Sequence, residues 1–491
     1  MAKQIPKTGQ ELLNVIDYLK DNFATDLEHV RSFLRQPSVS YTGEGIQATC
    51  ERIVTMIEEL GGAGRVIETP GHPIAFGRLD QGAPHTVLVY GMYDVMPADE
   101  PDWSVDPWAA EIRDLPKLGE SVVARGAVNT KGPLGAFFRA IAGYQKAAGK
   151  LPVNLLFAIE GEEEMGSRHF VPFVEEHIDE LKEADAVLFP FFSEDELGMP
   201  SMTLGTKGIL YFELECQGGD WGGPTERGIH GSYNAWVANP IWRLVQAMST
   251  FVDKDENILV KDFFQGVKPL PARELDILKG QVEAGIMDEA PFMEFDHVRR
   301  LKDGERGFPA WKRLFSQPQF NIDGIVGGYI EEGTKTLLPH RALAKMDVRM
   351  VPEMDADQVV QAIRQHLDEH GFEDIEMRVL NIYPWSKVSM EEKAIQAMLS
   401  TYEVMGRTPQ IWPLNPGSAP YYVFERILGV PYVTGGLGHG SRQHSNDEYC
   451  TVRGILDFEI SIVRWLYTYA KLMQEECQGC GCSGRCGEAK A

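Results

Sequence analysis

Residues 8–37 place Leu12, Leu13, Ile16 and Leu19, then Leu27, Val30, Phe33 and Leu34, at intervals of three and four, the spacing of an amphipathic helix. A second helix is predicted over about 45–60. The run HTVLVYGMYDV, 85–95, is apolar and rich in Val and Tyr, and it reads as a buried strand ending in polar residues. A helix follows over 131–148, and LPVNLLFAIE is a second buried strand that runs into acidic residues. ADAVLFPFF, 184–192, is a third. Strands alternating with helices predict an α/β sheet, with function at the carboxyl ends of its strands.

The pattern changes after about 208. GILYFELECQGG alternates, as a half-exposed strand does, and a helix is predicted over 237–253. A polar, acidic stretch over 253–320 precedes a strand-like KTLLPHRALAKMDVRMVP and a helix over 355–370. After about 385 the α/β character returns, with helices over 390–405 and 453–475 and a strand in VPYVTGG. The simplest account is an α/β catalytic domain, a mixed sheet flanked by helices, interrupted by a smaller α+β domain. The boundaries are 1–207, 208–384 and 385–475, with a Cys-rich flexible tail over 476–491.

Composition narrows the function classes. Of 491 residues, 43% are hydrophobic and 24% charged, as in ordinary globular proteins. The formal charge of -25 argues against a nucleic-acid or anionic-membrane partner, which would be repelled. No run approaches the roughly 18 apolar residues of a membrane span, and no secretory signal stands at the amino end, so the expected compartment is the cytoplasm. Cys50, Cys216 and Cys450 read as buried thiols. Cys477, Cys480, Cys482 and Cys486 crowd together, and that segment reads either as a flexible tail or as a site for zinc or another soft metal.

The candidate chemistry follows the second buried strand, in Glu160-Gly161-Glu162-Glu163-Glu164-Met165-Gly166-Ser167. Alone, such a cluster reads as a solvated acidic loop. Its neighbours change that. Upstream stand Tyr90-Gly91-Met92-Tyr93-Asp94 and Arg125-Gly126-Ala127-Val128-Asn129-Thr130-Lys131-Gly132, and downstream stands Gln443-His444-Ser445-Asn446-Asp447-Glu448. This ordered series resembles the M20 family of metallopeptidases over about residues 10–475. The carnosinase-like dipeptidase branch is favoured by Gly327-Gly328-Tyr329, Asp347-Val348-Arg349 and Pro416-Gly417-Ser418-Ala419-Pro420.

The resemblance implies hydrolysis of an amide bond by water activated on two divalent ions, usually zinc, with a glutamate taking the proton. Position by position it makes Glu163 the general base, Glu164 and His444 metal ligands, and Asp94 the carboxylate that orients a histidine ligand from behind. It makes His230, in Arg227-Gly228-Ile229-His230-Gly231, an oxyanion-stabilising residue reaching a partner's site in a homodimer, and Arg349 and Ser418 the holders of a substrate carboxylate.

Three family ligands are replaced. The histidine of His-x-Asp is Met92, the bridging aspartate is Asn129, and the acid after the third strand is Phe191, with Glu194 and Asp195 three or four residues on. A thioether is a poor zinc ligand among hard oxygens, an amide brings no bridging charge, and phenylalanine donates nothing. Met92 reads as core, and Asn129 as a pocket residue near the substrate or a hydrogen-bond partner of Glu164. One divalent ion, zinc or manganese, or none at all, is expected. The implied function is hydrolysis of an amide C–N bond in a small carboxylate-bearing substrate. The alternatives are a metal-independent lyase, isomerase or hydrolase on the same scaffold and a carboxylate-binding protein without catalysis.

Overall fold

The computed structural model describes residues 9–479. The chain forms two units. One comprises the described residues within Met1–Leu204, Val388–Ile411 and Val423–Ala491, and the other comprises Gly205–Lys387 with Trp412–Tyr422.

The first unit is built on a six-stranded mixed sheet in the order Ala63–Ile67, Ile74–Leu79, Asn154–Glu160, Thr86–Met92, Ala186–Pro190, Tyr432–Gly435. Every residue of Thr86–Met92 and Asn154–Glu160 is buried, which is why both read as unbroken apolar runs. These two strands are parallel, with Met92 opposite Glu160, so their carboxyl ends meet at one edge. The sheet is mixed because the pairs Ala63–Ile67 with Ile74–Leu79 and Ile74–Leu79 with Asn154–Glu160 are antiparallel. Helix Val452–Gly479 packs against Gln10–Leu34, Lys131–Ala148 and Lys393–Val404. Its fully buried Trp465 donates Nε1–H to the Ala394 carbonyl at 3.0 Å.

That helix also carries an energetic weak point. Glu459 is fully buried, and neither of its carboxylate oxygens has a hydrogen-bond partner. Burial, with Asp26 nearby, raises its pKa well above the ordinary carboxylate value. A carboxyl whose folded pKa is raised costs nothing below its unfolded pKa, near 4.3, and withdraws stability as the pH climbs from there toward the folded value. Glu459→Met is therefore expected to raise unfolding stability at pH 7 by about 1–3 kcal/mol. The gain should vanish by about pH 4. Urea unfolding at the two pH values checks this, and an equal gain at both would show that packing, not ionisation, is responsible.

The second unit centres on a four-stranded antiparallel sheet in the order Gln319–Gly327, Arg341–Met350, Gly208–Gln217, Glu376–Tyr383. One face packs on Pro240–Met248 and Ala356–Glu369 through Leu210, Phe212, Leu244, Met346, Val348 and Ile363. The helix expected over 237–253 is only Pro240–Met248, because Asn239 caps it by accepting from the Ile241 amide and Pro240 begins its first turn. The stretch 253–320, read as polar, contains helices Ala272–Glu283 and Phe308–Ser316 around Leu278 and Phe315.

The two units divide the chain somewhat differently from the sequence reading. The cuts after 207 and 384 fall instead at Leu204/Gly205 and Lys387/Val388, and residues 412–422, placed in the catalytic domain from sequence, belong to the second unit. The reason is tertiary pairing. The Asn415 amide donates to the Gly205 carbonyl at 2.8 Å, the Lys207 amide donates to the Asn415 carbonyl at 3.0 Å, and Trp412 packs on Trp311 and Phe315. The final helix also runs on to Gly479, past the expected start of the tail at 476. The cysteine-cluster reading otherwise lies outside the described residues. Among the described residues Cys50, Cys216 and Cys450 are buried and free, and no helix is long and apolar enough to cross a membrane.

Candidate active site

The acidic segment turns sharply as it leaves the sheet. After Glu160 the chain passes Gly161 and enters a short 3-10 turn, Glu163–Met165. Gly161 is needed there because a Cβ would lie 2.4 Å from the Tyr93 hydroxyl oxygen. Asp94, fully buried just past the neighbouring strand, fastens the turn. Its Oδ1 accepts the Glu163 amide at 3.2 Å, and its Oδ2 accepts the Glu164 amide at 3.0 Å and the Ser40 hydroxyl at 2.7 Å. The aspartate expected to orient a histidine grips the backbone of the two glutamates, and the residue two before it is methionine. Met92 is itself buried, and its carbonyl accepts the Thr130 hydroxyl at 3.0 Å.

Asn129, Glu164 and His444 form a mutually bonded trio. Asn129 Nδ2 donates to Glu164 Oε1 at 2.7 Å and stands 3.1 Å from His444 Nε2, and that nitrogen is also 3.1 Å from the Glu164 carboxylate. The hydrogen bond to Glu164 raises the His444 pKa above the ordinary imidazole value. His444 has a left-handed backbone, φ 59°, a conformation uncommon outside glycine and often found where a side chain is held for use.

Glu163 accepts no hydrogen bond from another described side chain. Burial, then the charges of Glu164 and Asp94, push its pKa up to about 8. Burial lifts Asp94 to about 7 and raises Glu160 well above its usual value, although Glu160 accepts from the Tyr90 and Ser167 hydroxyls at 2.7 and 3.0 Å. Asp94, Glu160 and Glu163, crowded at two strand tips, therefore hold protons more readily than free carboxyls do.

The support for Asn129 went unassigned in the sequence. Glu448, buried within the late motif, accepts the amides of Gly126, Val128 and Asn129 at 3.0, 3.0 and 2.9 Å and the Arg125 guanidinium at 3.1 Å. Arg125, equally buried, also bonds Glu100 and the Pro97 and Ser445 carbonyls. One carboxylate thus fixes the loop carrying Asn129 to the segment carrying His444. Glu448→Gln is expected to lower stability by about 2 kcal/mol, because charged hydrogen bonds become neutral and Arg125 loses half of its counter-charge. Urea unfolding measures it, and an unchanged midpoint would contradict the assignment.

Glu194, one of the acids near the Phe191 position, is already engaged. It bonds Arg407 at 2.6 Å and accepts the Gly438 amide at 2.7 Å, while His439 bonds its backbone carbonyl. In the second unit, His230 is held by the Ser232 hydroxyl at Nδ1 and the Thr336 hydroxyl at Nε2, 2.8 and 2.9 Å away. There too Arg349 donates to Asp347 at 3.1 Å and to the Ser418 hydroxyl at 3.0 Å, so the two expected carboxylate-binding residues do meet.

A model of peptidase family M20/M25/M40 matches residues 88–468. The chain belongs to this family. Among M20 relatives, a Beta-Ala-His dipeptidase from Homo sapiens is 28% identical over 66% of this chain, which spans only 63% of that enzyme's length. A Cys-Gly metallodipeptidase from Candida albicans is 26% identical over 94% of this chain and 97% of its own. The crystal structure of an M20 family metallo-carboxypeptidase from Sulfolobus solfataricus superposes with a TM-score of 0.81 at 30% identity, covering 91% of this chain and 99% of that one. The family match accounts for the order in which the two parallel strands, the acidic turn and the late histidine come together. Among the described residues of this M20 chain, however, no three of His, Cys, Asp and Glu are grouped so as to hold a metal ion.

Proposed function

We propose that this chain is an M20 amidohydrolase or dipeptidase that cleaves an amide C–N bond in a small substrate bearing a free carboxylate, with Glu163 as the proton-transferring group. The observation that carries the reading is Glu163 itself. Its backbone is clamped by Asp94, its carboxyl carries no bond from a described side chain, and it lies beside the Asn129–Glu164–His444 trio. In its carboxylate form, a group with a pKa raised to about 8 is basic enough to take a proton from an attacking water, and the carboxyl so formed passes it to the leaving amine. His230 is assigned to the developing oxyanion of a partner protomer in a homodimer, its ring orientation fixed by Ser232 and Thr336. Arg349 and Ser418 are assigned to the substrate carboxylate.

The donor set does not fit a pair of divalent ions. Two ions need an anionic bridge, and Asn129 instead spends its amide N–H on Glu164. Glu164, His444 and the Asn129 carbonyl oxygen make two or three donors, enough for at most one zinc or manganese ion, and no step above is routed through one. Free buried thiols fit a reducing cytoplasm. Incubation of the purified chain with a panel of dipeptides, β-Ala-His and Cys-Gly among them, tests the reading. Released amino acid, absent from the Glu163→Gln variant, supports it, and a chain that binds but never cleaves any of them sinks it.

A further inference from the structure

The second unit contains a buried positive charge with no counter-ion. Lys207 is 0% exposed, and its ammonium donates to the Gln317 carbonyl at 2.7 Å. No described carboxylate lies within ion-pair distance of it. Strand register sets Ile209, two residues beyond Lys207, opposite Arg349, and burial, then the charge of Arg349, pulls the Lys207 pKa down to about 8. Burying an ammonium beside a second cation is unfavourable, and such an arrangement is stabilised when an anion joins it.

Charge counting shows what Lys207 adds. Arg349 is pinned by Asp347, whose other oxygen accepts Asn321 Nδ2 at 3.0 Å. Asn321 Nδ2 also donates to Asp323 Oδ1 at 3.0 Å. The Asp347 carboxylate answers the charge of Arg349. Arg349 and Ser418 alone would offer a carboxylate good hydrogen bonds but no net attraction, and the positive charge without a carboxylate of its own is that of Lys207.

We propose that Lys207 is a specificity-determining residue of this subsite, supplying the unpaired positive charge by which a substrate's free carboxylate is preferred over the corresponding amide. The inference rests on the carboxylate-binding reading of Arg349 and Ser418 given above. Lys207 acts through the field at Arg349 and needs no contact with the ligand.

The test uses the full chain and two probes that contain no peptide bond, 3-phenylpropanoate and 3-phenylpropanamide, with binding followed by ligand-observed NMR. The wild type should bind the acid at least about tenfold more tightly than the amide, and Lys207→Met should lose that preference while binding the amide as before. Lys207→Gln, which keeps a donor for the Gln317 carbonyl, serves if the methionine variant does not fold. An acid preference retained in a folded Lys207 variant but lost in Arg349→Met overturns the role of Lys207 and leaves the carboxylate reading standing. A wild type with no acid preference overturns both.

Discussion

Glu163→Gln is expected to lower kcat on any dipeptide that the wild type cleaves by about 10³-fold while leaving substrate affinity within about twofold. An amide cannot accept the proton of the attacking water, so the transition state loses its base and the ground state loses little. The variant should fold normally, because Asp94 grips the backbone amides of Glu163 and Glu164 and not their side chains. Substituting one isosteric group also takes one ionisable group out of a crowded acidic cluster. Single-turnover kinetics with calorimetric binding checks both halves. A variant that keeps a tenth or more of wild-type turnover would remove Glu163 from the chemistry.

The second large effect concerns metal stoichiometry. With the four tail cysteines changed to serine so that they take up no metal, the chain is expected to bind at most about one zinc ion, and Met92→His, Asn129→Asp and Phe191→Asp together should bring that to about two. The change at 129 matters most. Glu448 and its amide contacts already hold that loop in place, so an aspartate would put a bridging carboxylate next to Glu164 and His444. Metal analysis after gel filtration reads the outcome. Two ions in the cysteine-free wild type would refute the reduced site, and no gain in the triple variant would show that these three positions do not converge on metals.

Sequence legibility followed burial and distance along the chain. Thr86–Met92, Asn154–Glu160 and Lys131–Ala148 were visible because a fully buried strand or an amphipathic helix writes its environment into consecutive residues. Ala63–Ile67 and Glu376–Tyr383 were not read, since both are largely exposed edge strands with little apolar pattern. The motif order singled out Glu163, Glu164 and His444 as candidates, and the fold brings Glu164 and His444 within hydrogen-bond distance. It did not show that Asp94 clamps the turn, because those bonds go to backbone amides about 70 residues away. The bond between Arg125 and Glu448 spans a separation of 323 residues, and each residue alone looks like an ordinary surface charge. Lys207 was not singled out from the sequence. Its significance comes from Arg349, Asp347 and Gln317, brought to it by sheet pairing.

The strand order of the six-stranded sheet has a consequence for how the chain is made. Ala186–Pro190 pairs in parallel with Tyr432–Gly435, a neighbour that leaves the ribosome only after the whole stretch Gly205–Lys387 of the second unit has been made. Until then the nascent polypeptide presents an apolar strand with one open side, a template for mispairing with other growing copies. Truncation before residue 432 should therefore yield a chaperone client and not a smaller version of the folded chain.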